Sequence, residues 1–104
     1  MKVELTRRAE IDFELIVDYL KARDARAARS LAGRLQEAIL GLRRMPERFS
    51  FTVRYSHLRI RRRTLDNYLI LFRVTETSVI VIAILHAAQD YERFLERLTD
   101  DHSD

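Results

Sequence analysis

The stretch VIVIAIL (79–85) constrains this chain more than any other. It is apolar at odd and even positions alike, and it is far shorter than the ~20 residues a membrane helix needs. Its length is that of a strand. A strand with no polar side has to be covered on both faces, so the sheet that holds it needs a layer above and a layer below. Two helices earlier in the chain can supply one layer. The other has to come from the C-terminal segment, from a second subunit or from a partner.

The rest of the sequence supplies matching elements. KVEL (2–5) alternates as a short strand, and Thr6 stands where a helix cap belongs. Ala9, Phe13, Ile16, Val17 and Leu20 then recur at helical spacing, while Ile11, Leu15 and Tyr19 form a second, partial stripe. A helix apolar on two sides usually packs against two neighbours. After the short break KARD (21–24), Asp24 is placed to cap a second helix with Ala28, Leu31, Ala32, Leu35, Ile39 and Leu42 in phase. So short a break predicts an antiparallel hairpin, with the small residues at 25, 27, 28 and 32 allowing close contact. Pro46 marks its end and a loop follows.

Three strands follow the loop. HLRIRRRT (57–64) alternates, with Leu58 and Ile60 on one side and Arg59, Arg61 and Arg63 on the other. LDN (65–67) turns into YLILFRVT (68–75), and ETS (76–78) turns into the doubly apolar strand. Asp90 is placed to cap a last short helix, YERFLERL (91–98). The order is β-α-α-β-β-β plus a short helix. This is an α+β domain with a helical hairpin packed on a small, mostly antiparallel sheet. It spans 1–98 as a single domain, with 99–104 as a flexible acidic tail.

Composition removes several classes of function. The chain has no cysteine, so disulfide and thiolate chemistry are excluded. Its two glycines, Gly33 and Gly41, cannot build a phosphate-cradling loop of the nucleotide-binding kinds. His57, His86 and His102 are scattered and make a poor metal site, so neither metal nor cofactor is expected. No serine has the flanking glycines of a nucleophile elbow. The N-terminus lacks an apolar signal core, which makes the cytoplasm the default location, and no membrane partner is expected.

Charge is unevenly placed. Between Arg43 and Arg63 there are eight arginines and one acid, Glu47, a surplus of seven positive charges; the rest of the chain is net negative by four. Such a block inside an acidic frame implies an anionic partner. Arginine pairs with phosphate and carboxylate equally well, so residue type alone leaves both RNA and an acidic protein open.

VELTRRAEIDFELIVDYL resembles the opening strand and helix of the RelE/ParE superfamily of bacterial type II toxins, through Thr6, Ala9, Asp12, Phe13, Ile16 and Tyr19. MPERF (45–49), LRIRRRTLDNYLILFRV (58–74) and VIAILHAAQDYERFL (81–95) extend the likeness over about residues 2–98. Two positions depart from the family pattern. Gln89 replaces an arginine often found before the aspartate, and Phe49 stands where a glycine is frequent. The first departure removes a cation that RNA-cutting members use.

The final strand and helix are more similar to the ParE-like, plasmid-stabilisation branch. That resemblance implies a growth-arresting protein that inhibits DNA gyrase, neutralised by a ParD-like antitoxin that wraps it. The alternative is a RelE-like, ribosome-dependent and metal-independent mRNA endonuclease. In that case Arg59, Arg61, Arg63 and Arg73 are the candidate cations, His86 the acid or base and Tyr91 the proton donor. A single histidine at a strand end is more often structural, and this set is too weak to assign an enzyme. The expected surface for antitoxin or target is Arg59, Arg61, Arg62 and Arg63 together with Tyr68, Phe72 and Arg73. For Tyr68 and Phe72, packing in a core or interface outweighs stacking on nucleobases.

Overall fold

The computed structural model describes residues 1–86 and 91–102, with side chains as far as Thr99. Strand β1 is Lys2–Leu5, and helix α1 is Arg7–Lys21. The Thr6 side chain caps α1 by accepting from the Ala9 N–H at 3.1 Å. Helix α2 is Ala25–Leu40, capped by Asp24, whose Oδ1 accepts from the N–H groups of Arg26 (3.1 Å) and Ala27 (3.0 Å). Both expected caps are therefore in place. The expected cap at Asp90, and Gln89 beside it, lie outside the described residues.

Regular α-helix ends at Leu40, earlier than Pro46 suggested. Two 3₁₀ turns, Gly41–Arg43 and Pro46–Arg48, carry the chain on, with Met45 left-handed between them at φ 48°. Strand β2 is Arg61–Leu65, β3 is Tyr68–Val74, β4 is Ser78–His86, and helix α3 is Tyr91–His102. Residues 99–102 thus continue α3, and the side chains beyond Thr99, His102 included, lie outside the described ones.

The sheet order is β1-β4-β3-β2, with β1 parallel to β4 and the other pairs antiparallel. The α-hairpin covers one face. Ala9, Leu31, Leu35, Ile39, Ile70, Phe72, Val79, Val81 and Ile84 form that core. On the other face α3 inserts Leu95, fully buried, against Ile60, Leu71, Ala83 and Leu85. The apolar β4 strand is thus covered on both sides within one chain, and the C-terminal helix is its second cover.

One expected strand starts later than its alternation indicated. Ser56–Leu58 is a 3₁₀ turn and Arg59 is left-handed at φ 57°, a conformation no strand accommodates, so β2 begins at Arg61. Leu58 and Ile60 still share one side, because the turn drops both into the core under α3. A turn has here produced the two-residue period of a strand.

Candidate functional site

The candidate surfaces depend on how α1 meets β4. Pairing of Phe72 with Val81 and of Leu71 with Ala83 leaves Ile82 as an extra residue, a β-bulge. The parallel partner β1 stops at the same place, with Leu5 opposite Val81. Beyond it the outer edge of β4 has no strand beside it, and its buried polar groups need other partners. Side chains of α1 supply them. Thr6 Oγ1 donates to the Ile82 carbonyl at 3.0 Å, and Asp12 Oδ2 accepts from the Ile84 N–H at 2.9 Å. Arg8 Nε holds the same carboxylate at 2.9 and 3.1 Å. Thr6 and Asp12 therefore replace the missing strand. The sequence offered only their spacing as a signal, and their role was missed.

The arginine row is not a free charged surface. Arg61 Nη1 donates to the carbonyls of Glu47 (3.1 Å) and Phe49 (2.6 Å), with its guanidinium 4.0 Å over the Phe51 ring. Arg63 Nη1 donates to the Ala38 carbonyl in the last turn of α2 at 2.8 Å, where a positive group also meets the negative end of the helix dipole. Gly41 leaves room for it; a Cβ there would stand 3.1 Å from Arg63 Nη1. Loss of solvent, and then repulsion from Arg48, lower the Arg63 pKa from its ordinary value. Arg73 Nε donates to the Leu58 carbonyl at 3.3 Å. Of the five arginines expected at this surface, Arg59, its head 5.2 Å from the Phe51 ring, and Arg62 keep charged ends without a hydrogen bond or ion pair among the described residues.

Nor do the candidate catalytic groups converge. Arg61 and Arg63 pair across from Phe72 and Ile70, on the face under the hairpin. His86 is also on that side but farther along, stacked edge-on against Tyr68 at 5.4 Å in a hollow shared with Arg8, Asp12, Leu15 and Tyr19 of α1. Arg73 and Tyr91 belong to the opposite face, beside α3. Arg59 sits in the turn before β2. Phe72 is fully buried and meets Phe49 edge-on at 6.0 Å, which removes it from any surface; Tyr68 is half-buried beside the same core. Among the described residues no three metal-ligating side chains cluster, and no helix is long and apolar enough to cross a membrane.

What the surface does offer is a groove. It runs between α1 and α2 along the free edge of β1, about 580 Å³ in volume, with Leu5, Phe13, Ile39 and Leu40 as its floor and walls and Glu10, Glu14 and Gln36 around it. Leu40 is 57% exposed there. The second stripe of α1 is uncovered, with Leu15 62% and Tyr19 64% exposed: the helix has its two expected neighbours, α2 and β4, but neither covers this stripe.

A family described as the ParE toxin of the type II toxin–antitoxin system, parDE, matches residues 3–91. Among solved structures, the chain is similar to a chromosomal ParDE toxin–antitoxin system from P. aeruginosa. That match has a TM-score of 0.70 and 20% identity, and it covers 83% of this chain and 95% of that one. It is also similar to the toxin–antitoxin complex RelBE2 from Mycobacterium tuberculosis, with a TM-score of 0.59 and 20% identity over 85% of this chain and 92% of that one. At such identity these likenesses speak for the fold. No curated protein sequence matches the chain. Since the family match takes in β1, the α-hairpin and the whole sheet, the chain belongs to the ParE toxins of type II toxin–antitoxin systems.

Proposed function

We propose that this toxin is a protein inhibitor of DNA gyrase, acting in the cytoplasm and held silent by a cognate antitoxin. The observation that carries the choice is the dispersal of the cutting groups. Metal-free RNA cleavage requires an acid, a base and cations around one phosphate. Here Arg61, Arg63 and Arg73 grip backbone carbonyls, while His86 and Tyr91 are on opposite faces of the sheet. An inhibitor that works by occupying a surface has no need of such a constellation.

The antitoxin reading is supported by the groove beside β1 and by the toxin–antitoxin assemblies among the similar structures. An amphipathic antitoxin helix lays its apolar face on Leu5, Phe13, Ile39 and Leu40, with basic residues of its own facing Glu10 and Glu14. The arginine contribution to antitoxin or target narrows to Arg59 and Arg62.

A gyrase supercoiling assay with purified toxin tests the target. Inhibition relieved by the antitoxin is expected, and unimpaired supercoiling at saturating toxin rejects the reading. Toe-printing of a translated message tests the ribosomal alternative, where cuts at the A site would replace this proposal. Leu40→Glu should weaken antitoxin binding at least tenfold, since it places an acid among apolar contacts and beside an acidic rim.

A further inference from the structure

The eight arginines between 43 and 63 retain most of their charge. Among the described residues only Arg54 has a carboxylate partner, Glu92, at 3.1 Å. A carbonyl accepts a hydrogen bond without cancelling a charge, so Arg61 and Arg63 remain cationic where they are held. Along the outer edge of β2 lies an open depression of about 540 Å³, lined by Arg48, Phe49, Ser50, Arg62, Arg63 and Thr64. It contains three guanidiniums and two hydroxyls, and no carboxylate. Arg48 lies 4.8 Å and Arg63 5.2 Å from the Phe49 ring, so both cations are held against one aromatic side chain. The repulsion between them is unrelieved.

We propose that this depression binds the phosphodiester backbone of a nucleic-acid strand. An acidic peptide carries the same charge but also needs an apolar pocket for an anchor or an open edge for strand pairing. Neither is present. The one ring in the lining, Phe49, is packed T-shaped against Phe72 and has two guanidiniums near it. The start of the β2 edge is already bonded, since the Arg62 N–H donates to the Ser50 carbonyl at 3.1 Å and the Thr52 N–H to that of Ile60 at 2.9 Å. A phosphate backbone asks only for cations and hydroxyl donors at a surface. The site stands apart from the groove beside β1, and the inference holds whichever enzyme the toxin inhibits.

The test is fluorescence anisotropy on the full chain with labelled single-stranded DNA and RNA, and with a polyglutamate peptide of equal charge. Both strands should bind, and affinity should fall steeply between about 50 and 200 mM salt. Arg48→Gln with Arg62→Gln should weaken binding roughly tenfold and flatten the log–log salt slope by about 1.4, the loss of two contacts to a single strand. Arg26→Gln with Arg29→Gln, an equal charge change on the exposed side of α2, should leave the slope intact. In the unaltered protein, amide NMR shifts on titration with the strand should centre on Ser50, Arg62 and Thr64, a readout that needs no variant to fold. Absence of binding at low salt, equal losses in both double variants, tighter binding of the peptide, or shifts centred elsewhere would each overturn the proposal.

Discussion

An arginine whose guanidinium is inserted at a helix end contributes more to the fold than its exposure suggests. Arg63 ties β2 to the last turn of α2 through the Ala38 carbonyl. Arg63→Ala should lower stability by about 1.5–3 kcal/mol, the ordinary range for a hydrogen bond to a charged group, read as a shifted urea midpoint at unchanged slope. Asp12 separates two effects. Asp12→Asn keeps an acceptor for the Ile84 N–H and loses the ion pair with Arg8, at a cost of about 1 kcal/mol. Asp12→Ala leaves that N–H orphaned and should cost about 2–3 kcal/mol. Thr52 points the other way. Its hydroxyl is fully buried with no hydrogen-bond partner among the described residues, so Thr52→Val should raise stability by about 1 kcal/mol.

At the scale of elements, α3 is the second cover of the sheet, fixed by buried Leu95, by half-buried Tyr91, Phe94 and Leu98 around it, and by a few polar contacts at its margin. Leu95→Ala should cost about 3 kcal/mol and expose the face made by Ile60, Leu71 and Ala83, measurable as increased dye binding. Tyr55 donates its hydroxyl to Glu96 Oε1 at 3.2 Å. Burial, and then the Glu96 and Glu92 carboxylates, raise its pKa above the ordinary 10.0. A raised value means that the fold favours the neutral phenol. Its contribution is therefore full below about pH 10 and disappears as pH rises through the folded value. Comparison of the unaltered protein with Tyr55→Phe should show a stability difference that closes with rising pH.

The same elements show what was legible in the sequence. Thr6 and Asp24 were readable as caps, because a cap is a local event between a side chain and the next turn. The double cover of β4 was readable because burial on both faces leaves no polar position. The start of β2 was not, since Leu58 and Ile60 have the same spacing in a turn as in a strand and only the backbone at Arg59 distinguishes them. The destinations of Arg61, Arg63 and Arg73 were equally hidden. Each reaches a carbonyl 12 to 25 residues away, and carbonyls leave no mark on sequence pattern.

For the molecule as a whole, charge is segregated. Acids rim the apolar groove beside β1, and unpaired guanidiniums gather at the far edge of the sheet. An anion that relieves their repulsion stabilises the folded state by mass action. Phosphate should therefore raise Tm by about 4 °C over chloride at equal ionic strength, if it binds well enough to add ~1 kcal/mol. Scanning calorimetry of Arg48→Gln with Arg62→Gln should show that difference removed, leaving only the general salting effect of phosphate.

The parallel pairing of β1 with β4 matters beyond architecture. Val3 pairs with Val79, so β1 meets its partner only after the intervening 75 residues have been made. Until β4 emerges, β1 has no neighbour in the sheet, Thr6 and Asp12 have no edge to complete, and the groove lacks the wall that Leu5 provides. A message broken or a ribosome stalled before residue 78 releases a chain without this sheet. A chain cut before β4 should therefore lack the folded surface of a toxin, and expression of a truncation ending at residue 77 should leave growth unaffected in a growth assay.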